Sequence, residues 1–395
     1  MIKYKFSDII FWVVVKMKVT VAIDSFKGSL STFQAGSAIA EGIKKAYEDA
    51  QVQICPIADG GEGTVEAVIS ATGGEMVDVT VHNPIGELIK SSYGIITETK
   101  TAVIEMSAAS GITLISDKDR NPLHTTTYGV GEMIKDAILR GCRKFIIGIG
   151  GSATNDGGIG MLQALGFEFL NKNEEQVSFG AKGLCDIAQI RIDNAMDELK
   201  ECKFLVACDV KNTLCGENGC SAVFGPQKGA TPEMIKDMDM WLKGYAEMTK
   251  KVIPKADEDI TGTGAAGGLG YALLSYLNAE LKSGIGLVMK ETDLEKYIKD
   301  SDIVVTGEGR LDGQSYMGKA PVGVANLAKK YSKPVVAFSG CVTDDAVICN
   351  EHGIDAFFPI LRTPCMLDEA MNTQNAYKNL SDTAQQVFRL IKLFD

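Results

Sequence analysis

The chain has 395 residues, 45% of them hydrophobic and 7% aromatic, and a net charge of −11. Such length and apolar content suit a globular chain of two domains, and the acidic balance argues against a nucleic-acid or membrane partner. Ten cysteines contain no CxxC pair, and the three histidines, His82, His124 and His352, fall in no triad or metal pair. The expectation is reduced thiols in a cytoplasmic protein and a catalysis that does not rest on histidine.

The first sixteen residues, MIKYKFSDIIFWVVVK, hold a short apolar run from Ile9 to Val15. It is too short to span a bilayer, and no small-residue cleavage site follows it. Residues 1–16 are read as an N-terminal extension from a non-native start. Val19 to Ile23 then reads as a buried strand ending at Asp24. Thr32 to Tyr47 follows as a helix with Ala35, Ala38, Ile39, Gly42, Ile43 and Ala46 on one face, and Val52 to Ile57 as a second strand ending in Ala58-Asp59-Gly60-Gly61. That is a βαβ unit. Further strands are expected at Ala102–Met106, Phe145–Ile149 and Phe204–Ala207, then at Ile303–Val305, Val335–Phe338 and Ala356–Ile360, with a helix over Val322–Tyr331 after Pro321.

Five strands with intervening helices predict a flavodoxin-like doubly wound parallel sheet made of residues 17–80 and 285–395. An inserted α/β domain, residues 81–284, interrupts it, and the active site is expected in the interdomain cleft. Ligands in open α/β sheets bind beyond the carboxyl ends of strands. Here three strand ends combine acid and glycine: Asp24-Ser25-Phe26-Lys27-Gly28-Ser29, Asp59-Gly60-Gly61-Glu62-Gly63-Thr64 and Gly307-Glu308-Gly309-Arg310-Leu311-Asp312.

The richest segment is Phe145 to Phe169, FIIGIGGSATNDGGIGMLQALGFEF. An apolar strand opens into a glycine-rich turn and then a helical pattern, a layout that presents backbone N–H groups to an anion. Ser152, Thr154, Asn155 and Asp156 add hydroxyls, an amide and a carboxylate, a mixture suited to a phosphate together with its metal. A rival reading takes Gly148 to Ala153 as the GxGxxA turn of a NAD-dependent enzyme or dinucleotide-binding protein, with Glu168 as the ribose ligand. Against it, Asn155 and Asp156 occupy the helix opening, where a bare pyrophosphate is repelled. Gly313-x4-Gly318-Lys319-Ala320 falls short of a Walker A because Ala320 replaces the Mg²⁺-liganding hydroxyl, though Lys319 stays a phosphate candidate. Gly262 to Gly268 fits GxGxxG without a preceding strand, and either a ligand turn or tight packing of a helix opening would explain it.

Seven segments in order, DSFKGSLS (Asp24 to Ser31), ADGGEGT (Ala58 to Thr64), GIGGSATNDGGIGML (Gly148 to Leu162), ACDV (Ala207 to Val210), VFGPQKGA (Val223 to Ala230), GTGAAGGLG (Gly262 to Gly270) and TGEGRLDGQSYMGKAP (Thr306 to Pro321), resemble the bacterial type I glycerate kinase family. The resemblance runs from about Met17 to about Gly340. It implies ATP- and Mg²⁺-dependent phosphorylation of D-glycerate, usually to 2-phosphoglycerate, by a flavodoxin-like domain with an inserted α/β domain. Thr213, where proline is usual, Cys220 and Ser221, where smaller residues are usual, and Ile57, where methionine is common, depart from the pattern without touching a charged or glycine position.

Phosphoryl transfer asks for in-line positioning, neutralisation of the moving charge and a carboxylate near the acceptor hydroxyl. Lys27 is the candidate for phosphate or substrate carboxylate. Asp59 is the candidate base, with Asp209 as the alternative. Glu308 and Asp312 are the candidate Mg²⁺ ligands, against a simple salt bridge to Arg310. Asp24, Ser25, Gly60, Gly61, Gly150, Gly151, Ser152, Thr154, Asn155, Asp156 and Lys319 complete the expected substrate and phosphate contacts, and Gln227 and Lys228 are candidates for the same cleft.

Overall fold

The computed structural model describes residues 2–6, 9–13, 16–316 and 318–394. Its chain divides into two units, Met1–Ile57 with Met289–Asp395, and Ala58–Val288.

The first unit is built on five parallel strands. Lys18–Val21 lies between Gln51–Ile54 and Ile303–Leu311, and Val335–Val342 and Ala356–Pro359 extend the sheet from there. By order within the unit this is 2-1-3-4-5, the flavodoxin-like order, with its switch point between Lys18–Val21 and Ile303–Leu311. Val19, Val21, Val305 and Phe338 are buried, as continuous β-branched and aromatic runs in a parallel sheet should be. The helix Thr32–Ala46 starts on a capping box: Ser31 Oγ accepts the Gln34 N–H at 3.3 Å while Gln34 Oε1 accepts the Ser31 N–H at 2.9 Å. Its small-residue stripe packs on the helix Thr373–Ile391, so closely that a Cβ at Gly42 would lie 2.2 Å from the Ser381 carbonyl oxygen.

One strand outruns its expectation. Ile303–Leu311 continues through Gly307, Glu308 and Gly309, pairing Glu308 with Ser339 and Arg310 with Cys341. Those residues form a strand extension, not a turn, because the neighbouring strand Val335–Val342 extends with them. In the N-terminal segment, Ile2–Phe6 pairs antiparallel with Ile9–Val13 in a backbone hairpin.

The second unit carries a six-stranded mixed sheet in the order Glu280–Lys282, Lys203–Ala207, Lys144–Gly148, Thr101–Glu105, Leu88–Ile96 and Glu75–His82. The first four are parallel; the last two join antiparallel. From sequence, residues up to 80 are expected in the first domain, a stretch that holds the helix Thr64–Thr72 and most of the strand Glu75–His82. Both elements belong to the second unit because Glu75–His82 pairs along its whole length with Leu88–Ile96. The core gathers Met133, Ile134, Phe145, Ile147, Phe169 and Phe204, all buried. A small antiparallel pair, Glu168–Leu170 with Gln189–Arg191, stands apart from the main sheet. Among the described residues, no helix is long and apolar enough to cross a membrane, and none of the ten cysteines is in a disulfide.

Candidate active site

In the second unit, the turn Asp59-Gly60-Gly61 rests on strand ends. A Cβ at Gly60 would meet the Ala207 Cβ at 2.6 Å, and one at Gly148 would meet the Gly60 carbonyl oxygen at 2.4 Å. Gly60 also has φ +90°, a conformation that favours glycine. This close approach brings the two candidate bases together. Asp59 is half-buried, and its Oδ1 accepts the Gly61 N–H at 3.2 Å. Asp209, just beyond the Lys203–Ala207 strand, accepts the Gly284 N–H with both carboxylate oxygens at 3.2 Å and so caps the helix Gly284–Glu291. The Asp209 side keeps solvent access, yet loss of surrounding water raises its pKa. The Gly284 amide and Ser283 oppose the rise, and the charge of Asp59 adds to it.

The glycine-rich turn after Lys144–Gly148 behaves differently from its sequence reading. Gly150 and Gly151 reach the surface, and Ser152 is nearly buried, in a bridge with Gly111. Thr154, Asn155 and Asp156 are completely buried. Asp156 accepts the Thr127 N–H and Oγ1–H, each at 2.8 Å, and the Gly158 N–H at 3.0 Å. Its own carboxylate therefore fills the start of the helix Ile159–Ala164, the place where an external phosphate was expected. Asn155 Nδ2 donates to Ser221 Oγ at 2.8 Å. These three residues hold the turn instead of lining it. The same geometry leaves the dinucleotide reading of Gly148–Ala153 without its anion site, and Glu168 accepts from Asn194 Nδ2 at 2.8 Å in the peripheral strand pair.

Lys228 gives a second departure. It is 2% exposed, and its Nζ donates to the Thr154 carbonyl oxygen at 2.5 Å. Burial pulls its pKa down to about 8, against the opposing pull of Cys220 and Asp156. It braces the turn from beneath, while Gln227 is exposed. The Gly262–Gly268 match proves to be packing: Gly157 N–H donates to the Gly267 carbonyl at 2.9 Å, and a Cβ at Gly267 would lie 2.0 Å from the Thr154 carbonyl oxygen.

In the first unit, Asp24 and Glu308 fall at the same sheet end, since the Asp24 N–H donates to the Gly307 carbonyl at 3.0 Å. Asp24 is buried and its Oδ1 accepts the Ser25 N–H at 2.6 Å. Lys27 is exposed in the turn between Phe26 and Leu30. Ser315 Oγ donates to Glu308 Oε1 at 2.7 Å, and the Ser315 hydroxyl also lies 3.5 Å from Asp312 Oδ1. Asp312 pairs with Arg310 Nε at 3.3 Å and with Lys319 Nζ at 3.6 Å. Lys319 immediately precedes the helix Ala320–Lys329. Glu308, Ser315 and Asp312 thus offer hard oxygen donors of the kind that suits Mg²⁺, which keeps several waters and takes one or two carboxylates with substrate phosphates. Among the described residues, no three His, Cys, Asp or Glu side chains converge as a closed metal cage. The near-Walker turn is no phosphate cradle, because Gly313 sits against the Asp345 carboxylate, where a Cβ would approach to 2.3 Å.

Sequence reasoning missed Glu105. It ends the strand Thr101–Glu105, is buried, and its Oε1 accepts the Val65 N–H at 2.8 Å at the start of the helix Thr64–Thr72. Burial pushes its pKa up to about 7, opposed by the Val65, Gly63 and Thr64 amides and reinforced by Glu62. The available signal was an acid closing the apolar run Ala102-Val103-Ile104, at the same kind of strand end as Asp24 and Asp59.

The strand orders define an α/β protein with acid-bearing strand ends. A family model described as the glycerate kinase family matches residues 19–392. The chain is 47% identical to Glycerate kinase of Haemophilus influenzae, over 95% of this chain and 99% of that one. It is 48% identical to Glycerate 2-kinase of Escherichia coli, over 94% and 97% respectively. A crystal structure assigned to glycerate kinase 2 from Salmonella typhimurium LT2 matches with a TM-score of 0.86 at 44% identity, covering 96% of this chain and 99% of that one. The chain belongs to the glycerate kinase family.

Proposed function

We propose that this protein transfers the γ-phosphoryl group of ATP to D-glycerate, giving ADP and 2-phosphoglycerate. The observation that carries the mechanism is the pairing of Asp59 with Asp209 on the strand ends of the second unit. Asp59 commits one oxygen to the turn, whereas Asp209 commits both to the Gly284 amide, so Asp59 is the better acceptor for the proton of the attacking hydroxyl. As the substrate oxygen bonds to the γ-phosphorus, the bond to the β,γ-bridging oxygen breaks and ADP leaves with the electron pair. Asp209 stands close enough for the Asp59 charge to act on it. Backbone amides of Gly60, Gly150 and Gly151, with Ser152, orient oxygen atoms of the substrates, while the Gly61 amide holds the Asp59 carboxylate.

Lys27 and Lys319 neutralise phosphate or carboxylate charge, and Asp24 with Ser25 shapes the turn that presents Lys27. Glu308 and Asp312 would hold Mg²⁺, which supplies charge neutralisation on the phosphates when bound. The need for ATP assigns the reaction to the cytoplasm.

Release of ADP on addition of D-glycerate, followed by a coupled assay beside a test for NAD(P)H turnover, checks this reading. ³¹P NMR of the product separates 2- from 3-phosphoglycerate. NAD(P)H turnover without ADP release would return the Gly148–Ala153 turn to the dinucleotide reading.

A further inference from the structure

The glycines of the Asp59 turn give it freedom but no side chains to hold its shape. The helix that follows, Thr64–Thr72, starts at Gly63, whose φ is +94° and which supplies no capping side chain. The Thr64 N–H reaches back to the Gly61 carbonyl at 3.3 Å, but the Val65 N–H needs an acceptor from outside the turn. That acceptor comes from a neighbouring strand. The Glu105 carboxylate faces the amides of Gly63, Thr64 and Val65 and accepts from Val65 at 2.8 Å. In register, Glu105 stands beside Gly148, the residue against which the Gly60 carbonyl packs. Within the turn, Asp59 Oδ1 accepts the Gly61 N–H at 3.2 Å and the Thr64 hydroxyl donates to the Gly61 carbonyl at 2.8 Å; from outside it is pinned by the strand end under Gly60 and by Glu105 at Gly63 to Val65.

We infer that Glu105 is a positioning residue, which holds the Asp59–Gly63 turn in its working geometry for phosphoryl transfer. The inference rests on the reading of Asp59 given above. Misplacement of a reacting group by about 1 Å costs about 10²-fold in rate. Glu105→Ala should therefore lower kcat by roughly 10–10²-fold, with glycerate KM changed far less, and should speed hydrogen exchange over residues 59–65. Glu105→Gln keeps an acceptor for the Val65 N–H and should restore most of kcat. In an Asp59→Asn background, Glu105→Ala should cost no more than about twofold further, because coupled residues are non-additive.

Unchanged exchange over 59–65 in Glu105→Ala would overturn the inference. So would an equal loss in both backgrounds, or a failure of Glu105→Gln to recover activity while folding normally by circular dichroism. If Asp59→Asn alone kept normal turnover, the base assignment would fall. In that case faster exchange with lost kcat in Glu105→Ala would still establish the turn-holding role, so the two failures are distinguishable.

Discussion

Glu105→Gln makes a sharp test of the electrostatics, because it removes a charge and keeps an acceptor. The ordinary pKa of the side chain is 4.5, and burial in the folded protein pushes it up to about 7. The folded state therefore holds the proton more tightly than the unfolded chain. This contribution to stability is fully present below pH 4.5 and is lost as pH rises through about 7. At about 1.4 kcal/mol for each tenfold change in affinity, it amounts to roughly 3 kcal/mol. Glutamine cannot ionise, so it escapes the loss, but its buried N–H donors cost about 1–2 kcal/mol if unpaired. The variant should be about 1–2 kcal/mol less stable than the parent at pH 4.5 and about 1–2 kcal/mol more stable at pH 8. Urea unfolding followed by circular dichroism at several pH values in this range measures the difference directly. A difference independent of pH, or one favouring the parent as pH rises, would refute the reasoning.

Asp59→Asn is expected to lower kcat by about 10²–10⁴-fold with a smaller effect on glycerate KM, while Asp209→Asn, which can still accept from Gly284, should cost less; a reversed ranking in steady-state kinetics moves the base to Asp209. Glu308→Gln should raise the Mg²⁺ concentration needed for half-maximal rate, since it weakens a hard oxygen donor; a titration with identical midpoints removes Glu308 from the metal site. Lys27→Ala should damage kcat and KM together, because a contact to phosphate or carboxylate serves both ground and transition states. Lys228→Met probes the buried ammonium, whose pKa falls from 10.5 to about 8. The cost of burying that charge is full below pH 8 and is relieved towards pH 10.5, so thermal unfolding should show the parent gaining on the variant between these values.

Much of the first unit was legible from local pattern. Val19–Ile23, Val335–Phe338 and the helix from Thr32 announce themselves because buried parallel strands need unbroken apolar runs and an amphipathic helix needs its 3.6-residue stripe. The strands Glu75–His82 and Leu88–Ile96 stayed hidden: they carry mixed polar and apolar residues on a partly exposed antiparallel edge, and their signal comes from pairing with each other. The acid-and-glycine motifs named the residues of the candidate site, since short turns must use glycine where the backbone approaches closely.

Residue types alone could not tell which carboxylate keeps access to solvent and which fills a helix start. Asp59 and Asp156 both follow strands and precede glycines, yet one is half-exposed and the other is sealed under Thr127 and the helix it caps. Lys228 reads as a candidate for the cleft, and Glu105 as part of a strand, until the packed structure buries both. The sequence determined where apolar runs and glycine turns lie, because those preferences act over a few neighbouring residues. Only the tertiary structure decided what each polar group does, because burial and hydrogen-bond partners are set by segments far apart in the chain.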